Sequence, residues 1–320
     1  SGRGYGVRTM SFHIFEPLVV VTAPTATITH ALLYAAGNGA VISQNSGGYD
    51  TPNYQNTTDL EAIRYFIEEA GTDAHGNPRP NTPMVGGLVI FASGNYANRS
   101  GYRSSDKYYP QAYDEVIAVG AVGPDGKRAS YSNYGDWVDI SAPGGHYPAA
   151  QEQQIYSTVL GSNGYDYDAG TSMACPHVSG VAALILSNYG SSAYIPDMLR
   201  NRLLASARSL EELDPEFASQ MGSGLVDAYQ ALRWVHVTGL TVTPASVSLL
   251  DNHTAHLSVD IKPANAGGKK VVWSSSNPSC VTVDQSGSIK AFYDGGTSAI
   301  ITARTVDGGF EATSNVTVHR

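Results

Sequence analysis

Apolar residues before position 235 follow two patterns. Runs that are apolar throughout, such as 87–92 and 116–122, predict strands that a parallel sheet buries on both faces. Segments in which apolar residues recur every three or four positions, such as 25–38 and 60–70, predict helices. The same patterns predict strands over 7–14, 40–43 and 138–142, and helices over 195–207 and after 222. Strands and helices alternate, which is typical of a doubly wound, mostly parallel α/β sheet.

The pattern changes near residues 235–239. From there on, apolar and polar residues alternate with a period of two, and Pro, Asn and Gly turns separate the segments. This pattern predicts an all-β sandwich, so we expect two domains, over residues 1–234 and 235–320. Trp273 falls on a short apolar strand of the sandwich, and we expect it in the core because large aromatic side chains pack the interior.

Composition narrows the class of protein. The chain has 320 residues, of which 42% are hydrophobic and 15% charged, as in a globular protein. A net charge of −9 argues against nucleic acid or an anionic membrane as the default partner. No apolar run is long enough to span a bilayer, and no signal peptide is visible. Cys175 and Cys280 fall in different predicted domains, so we expect no disulfide between them.

The candidate chemistry begins at residues 170–180, which read Gly-Thr-Ser-Met-Ala-Cys-Pro-His-Val-Ser-Gly. A glycine-led turn delivers Ser172 to the first turn of a helix, where unpaired backbone N–H groups and the helix dipole favour an oxyanion beside a nucleophile. Taken alone, Gly-Thr-Ser before an apolar run is most often only a helix cap.

The full run of eleven residues resembles the serine motif of the subtilases, the subtilisin-like serine peptidases. This resemblance implies that Ser172 is the nucleophile and that Thr171, Met173 and His177 are scaffold residues, with His177 a packing residue rather than the catalytic base. It also implies a subtilisin-like sheet that is incomplete at its N-terminal side.

Residues Ala92-Ser93-Gly94-Asn95 follow a buried strand at its carboxyl end, the edge at which open α/β sheets bind ligands. By itself Gly-Asn after a strand is usually a turn. Together with the serine motif, however, the segment resembles the subtilase oxyanion segment. The resemblance implies that the Asn95 amide and the backbone N–H of Ser172 bind the oxyanion, and that Ala92, Ser93 and Gly94 contact substrate.

Residues Asn45-Ser46-Gly47 resemble the subtilase segment that forms one wall of the substrate cleft and pairs with extended substrate. The family usually has a bulky residue where this chain has Ser46. This departure leaves the side-chain preference open and is compatible with a wider pocket. Residues 130–135 and 138–144 also match the family, and we interpret both as scaffold.

The two subtilase motifs that bear the catalytic Asp and His do not occur in the sequence. His75-Gly76 lies in a polar loop, His13 in a predicted strand and His30 in a helix. Three explanations stay open: the chain is a piece of a longer enzyme, a second polypeptide supplies Asp and His, or the chain is a pseudopeptidase whose groove only binds. We expect the isolated chain to be inactive for want of a base.

Residues 237–318 resemble the bacterial Ig-like group 2 domain, through segments such as 240–244, 272–276 and 296–303. Anchoring at a surface and service as a rigid spacer are both compatible with this resemblance. Together the two resemblances imply a bacterial hydrolase of polypeptide substrates that acts outside the cytoplasm, either secreted or at the cell surface.

No cofactor is expected to be required. Structural calcium is common in subtilases, but the oxygen-rich loops 49–51 and 72–74 lack the regular ligand spacing of a calcium loop. The histidines and cysteines show no zinc spacing either. The sequence therefore predicts no particular metal site.

Overall fold

The computed structural model describes residues 8–10, 25–159, 164–233, 235–264 and 266–320. The chain divides into two compact units, Ser1–Leu232 and Arg233–Arg320. Within the described residues, no helix is long and apolar enough to cross a membrane.

The first unit is built on a parallel sheet. Its strands are β1 (Ile42–Asn45), β2 (Leu88–Ala92), β3 (Ile117–Val122) and β4 (Ile140–Pro143), in the order β1-β2-β3-β4. All three pairings are parallel, and Asn45 lies opposite Phe91. The carboxyl ends of β1 and β2 therefore meet at the same edge.

Five helices accompany the sheet in the described part of the chain. They are α1 (Thr25–Gly37), α2 (Thr57–Glu69), α3 (Thr171–Tyr189), α4 (Pro196–Ala205) and α5 (Ala228–Arg233). The side chains of β2 show how they are arranged. Leu88 and Ile90 share a buried cluster with residues of α3 and α4, whereas Val89 and Phe91 share another with α1 and α2. Helices thus cover both faces of the sheet, and the predicted α/β architecture is confirmed.

Two parts of this unit differ from the sequence predictions or lie outside their test. The predicted strand over 7–14 lies outside the described residues except at 8–10, which form no strand. The hairpin of β5 (Ile155–Thr158) and β6 (Tyr165–Asp168) was not expected. Its two strands are exposed along almost their whole length. Because neither strand has a buried face, the sequence lacks the alternation of apolar and polar residues that predicts a strand.

The second unit consists of nine described strands. They are β7 (Gly239–Thr243), β8 (Ser246–Leu250), β9 (Thr254–His256), β10 (Ser258–Lys262), β11 (Val271–Ser275), β12 (Val281–Val283), β13 (Ser288–Ala291), β14 (Ser298–Thr305) and β15 (Glu311–His319). They form sheets ordered β10-β7, β11-β14-β15-β8 and β12-β13-β9. Trp273 is buried in the core that these sheets enclose, so the predictions of a sandwich and of a core tryptophan are confirmed. Cys175 and Cys280 are both free and buried.

Candidate active site

Three segments meet at the carboxyl edge of the parallel sheet. Residues 44–46 end β1, residues 93–97 follow β2, and the first turn of α3 contacts both through hydrogen bonds. The helix is held there by its apolar side, which buries Ala174 and Val178 in the main core. This edge is where the sequence analysis expected a ligand.

Ser172 is the second residue of α3. A helix leaves its first four N–H groups without intrahelical acceptors, and the dipole adds partial positive charge at that end. The Thr171 N–H finds an acceptor in the side chain of Asn95 at 3.0 Å. Among the described residues, the Ser172 N–H makes no hydrogen bond. It is therefore available to a ligand.

The orientation of the Asn95 amide is fixed by Thr171. Asn95 Oδ1 accepts hydrogen bonds from the Thr171 N–H at 3.0 Å and from its hydroxyl at 2.8 Å. The Nδ2 group therefore points the other way. A Cβ atom at position 170 would lie 3.5 Å from Asn95 Nδ2 and 3.6 Å from Ser172 N. Both donors thus border one small space beside Gly170, which is suited to an oxygen that carries negative charge.

Asn133 holds the loop that carries Asn95 in place through side-chain hydrogen bonds. This residue is fully buried. Its amide donates to the Ser93 carbonyl at 2.8 Å, and its Oδ1 accepts from the Tyr96 N–H at 2.8 Å. Gly94 has a φ of +105°, and a Cβ atom there would lie 2.7 Å from Asn133 Nδ2. A glycine is thus required before Asn95.

Segment 45–47, the expected wall of the cleft, contacts the nucleophile candidate directly. Ser172 Oγ donates to the Ser46 carbonyl at 3.0 Å, and Ser46 Oγ donates to the Ser172 carbonyl at 2.8 Å. The Asn45 amide instead turns to β2 and donates to the Ile90 carbonyl at 3.1 Å. Ser46 is exposed and Gly47 half-buried, so this wall is open to a ligand.

The remaining expected substrate contacts lie deeper. Ala92 and Ser93 are buried, and the Ser93 hydroxyl donates to the Asn133 carbonyl at 3.4 Å. Their side chains therefore belong to the fold. Gly94 is half-buried, and its N–H donates to the Thr171 hydroxyl at 3.2 Å. The structure thus gathers segments 45–47 and 93–95 around Ser172, and it leaves chiefly Ser46, Gly47 and Asn95 accessible.

No base contacts the Ser172 hydroxyl among the described residues. His177 is exposed, and its Nδ1 contacts the Met173 carbonyl of its own helix at 2.8 Å. The prediction that His177 packs inside the fold was therefore wrong. His146 pairs with Asp125 at 3.0 Å, and neither makes a hydrogen bond to Ser172.

Cys175 joins the helix to both strand ends. Its Sγ is buried and lies 3.6 Å from the Asn45 carbonyl and 3.8 Å from that of Ile90. Burial raises the pKa of the thiol to about 12. The sulfur therefore stays protonated and donates weakly to these carbonyls. The sequence analysis considers Cys175 only for a disulfide, and no local pattern predicts these contacts.

Loop 72–74, one of the two loops considered for calcium, has its carboxylate engaged by backbone N–H groups. Within the described residues, no group of three or more His, Cys, Asp or Glu side chains could hold a metal ion. Asp73 Oδ1 accepts from the N–H groups of His75 and Asn77, and the first of these hydrogen bonds lowers the pKa of that carboxyl most. The Asp73 carboxylate thus stabilises the turn of its own loop.

Comparisons with known proteins identify families that match each part of the chain. A family model described as "Subtilase family" matches residues 22–224, and one described as "Bacterial Ig-like domain (group 2)" matches residues 236–316. The thermophilic serine proteinase of Bacillus sp. strain AK1 is 40% identical over 161 residues, and the extracellular basic protease of Dichelobacter nodosus is 37% identical over 195 residues. These matches cover 50% and 60% of this chain and 31% of each relative. The chain therefore spans about a third of the length of these relatives.

Solved structures show the same fold. A protease from Pseudoalteromonas arctica PAMC 21717 aligns with a TM-score of 0.52 and 29% identity, over 66% of this chain and 59% of that one. The prenylagaramide maturation protease PagA aligns with a TM-score of 0.53 and 26% identity, over 69% of this chain and 70% of its own.

Proposed function

The chain belongs to the subtilase family, and from this premise we propose that it carries the nucleophile and the oxyanion donors of a serine endopeptidase. In this reaction Ser172 Oγ attacks the carbonyl carbon of a peptide bond. The carbonyl oxygen becomes a tetrahedral oxyanion, which accepts hydrogen bonds from Asn95 Nδ2 and the Ser172 N–H. The serine proton passes to a base and then to the departing amine, and water releases the acyl group.

One observation carries this proposal. Thr171 holds the Asn95 amide by two hydrogen bonds, at 3.0 and 2.8 Å, so that Nδ2 and the Ser172 N–H border the same space. A residue that only capped the helix would need a single hydrogen bond to one backbone N–H of the first turn. The second donor, Asn95 Nδ2, comes from the loop after β2 and not from α3, and an oxyanion hole requires such a donor in addition.

The proposed substrate is an extended polypeptide. Such a chain would lie between segments 45–47 and 92–94, which end neighbouring parallel strands. The small Ser46 at the wall supports a pocket that is wider than a bulky residue would leave. This placement comes from the family resemblance and from the exposure of Ser46.

We propose further that the catalytic histidine and aspartate come from upstream sequence or from a second polypeptide. Among the described residues, the Ser172 hydroxyl donates to the Ser46 carbonyl, which cannot remove its proton. The same observation favours the rival function, an inactive subtilase fold whose groove only binds polypeptide.

Labelling with a fluorophosphonate separates the two. The chain, a version extended upstream and a Ser172→Ala control of each are treated, and the modified residue is located by mass spectrometry. The peptidase proposal expects fast labelling at Ser172 in the extended version and little in the isolated chain. Fast labelling of the isolated chain would refute an external base, and slow labelling of both forms would favour the binding module.

We propose that the protein acts outside the cytoplasm, because one relative is named as extracellular and the second unit is a bacterial Ig-like domain. This domain would anchor the peptidase unit at a surface. Deletion of residues 237–320 from the upstream-extended version should then release the protein from cells without changing its cleavage of soluble peptides. Unchanged retention would leave the domain as a spacer.

A further inference from the structure

The carbonyl of Ser172 lacks the donor that an α-helix would give it. In a helix, the N–H four residues later donates to each carbonyl. Four residues after Ser172 stands Pro176, which lies inside α3 and has no N–H. The motif proline therefore leaves this one carbonyl of the first turn without its helical partner, and a backbone acceptor in that position must find another donor.

The hydroxyl of Ser46 takes the place of the missing amide. Ser46 Oγ donates to the Ser172 carbonyl at 2.8 Å, and it accepts from Gln44 Nε2 at 2.6 Å. Because Gln44 donates to the Ser46 oxygen, the hydroxyl proton of Ser46 is directed to the Ser172 carbonyl. The contact joins residues that are 126 positions apart.

The contact runs in both directions. Ser172 Oγ donates back to the Ser46 carbonyl at 3.0 Å, and Cys175 Sγ contacts the Asn45 carbonyl at 3.6 Å. The wall of the cleft and the first turn of α3 are therefore one hydrogen-bonded unit. We call the contact between the Ser46 hydroxyl and the Ser172 carbonyl the Ser46 clasp.

We propose that Ser46 is a positioning residue for the nucleophile: its hydroxyl replaces the amide that Pro176 lacks and fixes residue 172 against the cleft wall. The proposal rests on Ser172 being the nucleophile, as argued above. Residue 172 carries the reacting hydroxyl and one oxyanion donor, so loosening its peptide unit misplaces both groups together. Small displacements of reacting groups are costly, and we expect about a tenfold loss of reactivity without the clasp.

The clasp can be observed without catalysis. Ser172-Met173 is the only Ser-Met step in the 320 residues. With carbonyl-¹³C serine and ¹⁵N methionine in the full chain, a carbonyl-to-amide correlation therefore reports the Ser172 carbonyl alone. We expect Ser46→Ala to move this resonance upfield, since it removes a donor, and we expect Ser46→Thr, which keeps the hydroxyl, to restore its position.

A double-mutant cycle tests the role of the proline. Pro176→Ala returns an N–H to the helix, so the Ser172 carbonyl regains a donor, and Ser46→Ala should then have little effect on the resonance. Ser179→Ala is the matched control. Its hydroxyl donates to the Cys175 carbonyl of the same helix at 3.3 Å. That carbonyl does not depend on the hydroxyl, because residue 179, four positions later, has a backbone N–H to donate to it. We expect no change at Ser172 in this variant.

The same variants are then labelled with the fluorophosphonate in the upstream-extended version. Support requires that Ser46→Ala slows labelling of Ser172 about tenfold, that Ser46→Thr restores it, and that Ser179→Ala leaves it unchanged. An unmoved carbonyl resonance in Ser46→Ala, equal shifts with and without Pro176, or an undiminished labelling rate would each overturn the proposal. If no variant labels, the peptidase function has failed, while the resonance still decides whether the clasp exists.

Discussion

Thr171 is the residue that decides which end of the Asn95 amide faces Gly170 and the Ser172 N–H. It is buried, and both its N–H and its hydroxyl donate to Asn95 Oδ1, whereas a flipped amide would place Nδ2 against the Thr171 N–H, donor against donor. Its hydroxyl also accepts from the Gly94 N–H at 3.2 Å. One threonine therefore connects the turn after β2 to the first turn of α3, and the sequence analysis had considered it only as scaffold.

Thr171→Val should weaken stabilisation of the oxyanion while both of its proposed donors stay in the protein. The substitution keeps the shape and the backbone N–H but removes the 2.8 Å hydrogen bond to Asn95. A lost hydrogen bond of this kind is worth about 1–2 kcal/mol, so labelling of Ser172 in the extended version should slow roughly 5- to 30-fold. Thr171→Ser, which keeps the hydroxyl, is the control. Equal rates in the Val and Ser variants would contradict the orienting role.

Asn95→Leu should have a larger effect, because it removes the donor itself at nearly constant volume. Loss of one such donor typically lowers turnover by roughly 10²–10³, a size known from subtilisin and so borrowed from the family. Steady-state kinetics of the extended version on a chromogenic peptide should show this loss in kcat with KM little changed. A change confined to KM would mean that Asn95 binds substrate rather than the oxyanion.

The residues of the site divide by how they could be found. Ser172 is predictable because eleven consecutive residues carry the signal, and Asn95 because its turn follows a strand that is apolar throughout. Asn133 and the Ser46 clasp could not be predicted in this way. Their partners lie 37 to 126 positions away, and no local pattern says which hydroxyl will meet which carbonyl.

At the scale of elements, the fully apolar strands and the amphipathic helices agree with their predictions, while the ends shift. The strand predicted over 40–43 is observed as Ile42–Asn45, because Gln44 and Asn45 continue the backbone ladder with polar side chains. Helix α2 begins at Thr57 rather than at Leu60, since Asn56 caps it by accepting from the Thr58 N–H at 3.0 Å. Capping chemistry extends a helix beyond its apolar stripe.

Helix α4 is attached to the sheet by an ion pair as well as by apolar packing. Arg200 donates to Asp139 Oδ1 at 2.5 Å and to the Val116 carbonyl at 2.6 Å. Asp139 Oδ2 accepts from the Ala118 N–H at 2.8 Å. Burial raises the pKa of Asp139 in spite of the arginine beside it.

Arg200→Met should therefore destabilise the first unit by roughly 3 kcal/mol at neutral pH, because it leaves the Asp139 carboxylate without its cation. Without Arg200 the pKa of Asp139 rises further above its unfolded value. The deficit should accordingly be greatest at neutral pH and shrink as the pH falls through this folded-state pKa, where the carboxyl becomes neutral. Urea unfolding of both proteins at a series of pH values measures the difference.

Arg64→Met is the matched control for that prediction. Arg64 pairs with Glu115 at 2.6 Å, but the arginine side chain is 55% exposed. Solvent screens such a pair, so its loss should cost less than about 1 kcal/mol. If the Arg200 deficit is equally small, or if it grows on acidification, the carboxylate of Asp139 is not the reason that Arg200 is needed.

At the scale of the molecule, one change of period separates two architectures. Before residue 235 the apolar runs and the helical spacing require a sheet covered on both faces, and after it the period of two requires sheets that bury one face each. The sequence predicts both folds for this reason. It does not predict which parts of the second unit form its three sheets, because pairing depends on register between distant strands.

Residues 236–320 should fold without the rest of the chain. Their core gathers Trp273 with Leu257, Ile301 and Val316, all from within this unit, and the buried Asp307 carboxylate accepts from the Val237 N–H at 2.9 Å. Trp273 is the single tryptophan of this fragment, so its fluorescence reports the core. We expect blue-shifted emission and one cooperative thermal transition.

Trp273→Ala tests whether that transition belongs to the core. It should cost roughly 3–5 kcal/mol, a large part of the stability of a small domain, and lower the melting temperature measured by circular dichroism by well over ten degrees. Val272→Ala, at a residue of the same strand that is 48% exposed, should cost far less. Red-shifted emission from the wild-type fragment would mean that this unit depends on the first for its fold. Equal effects of the two substitutions would mean that the transition does not arise from this core.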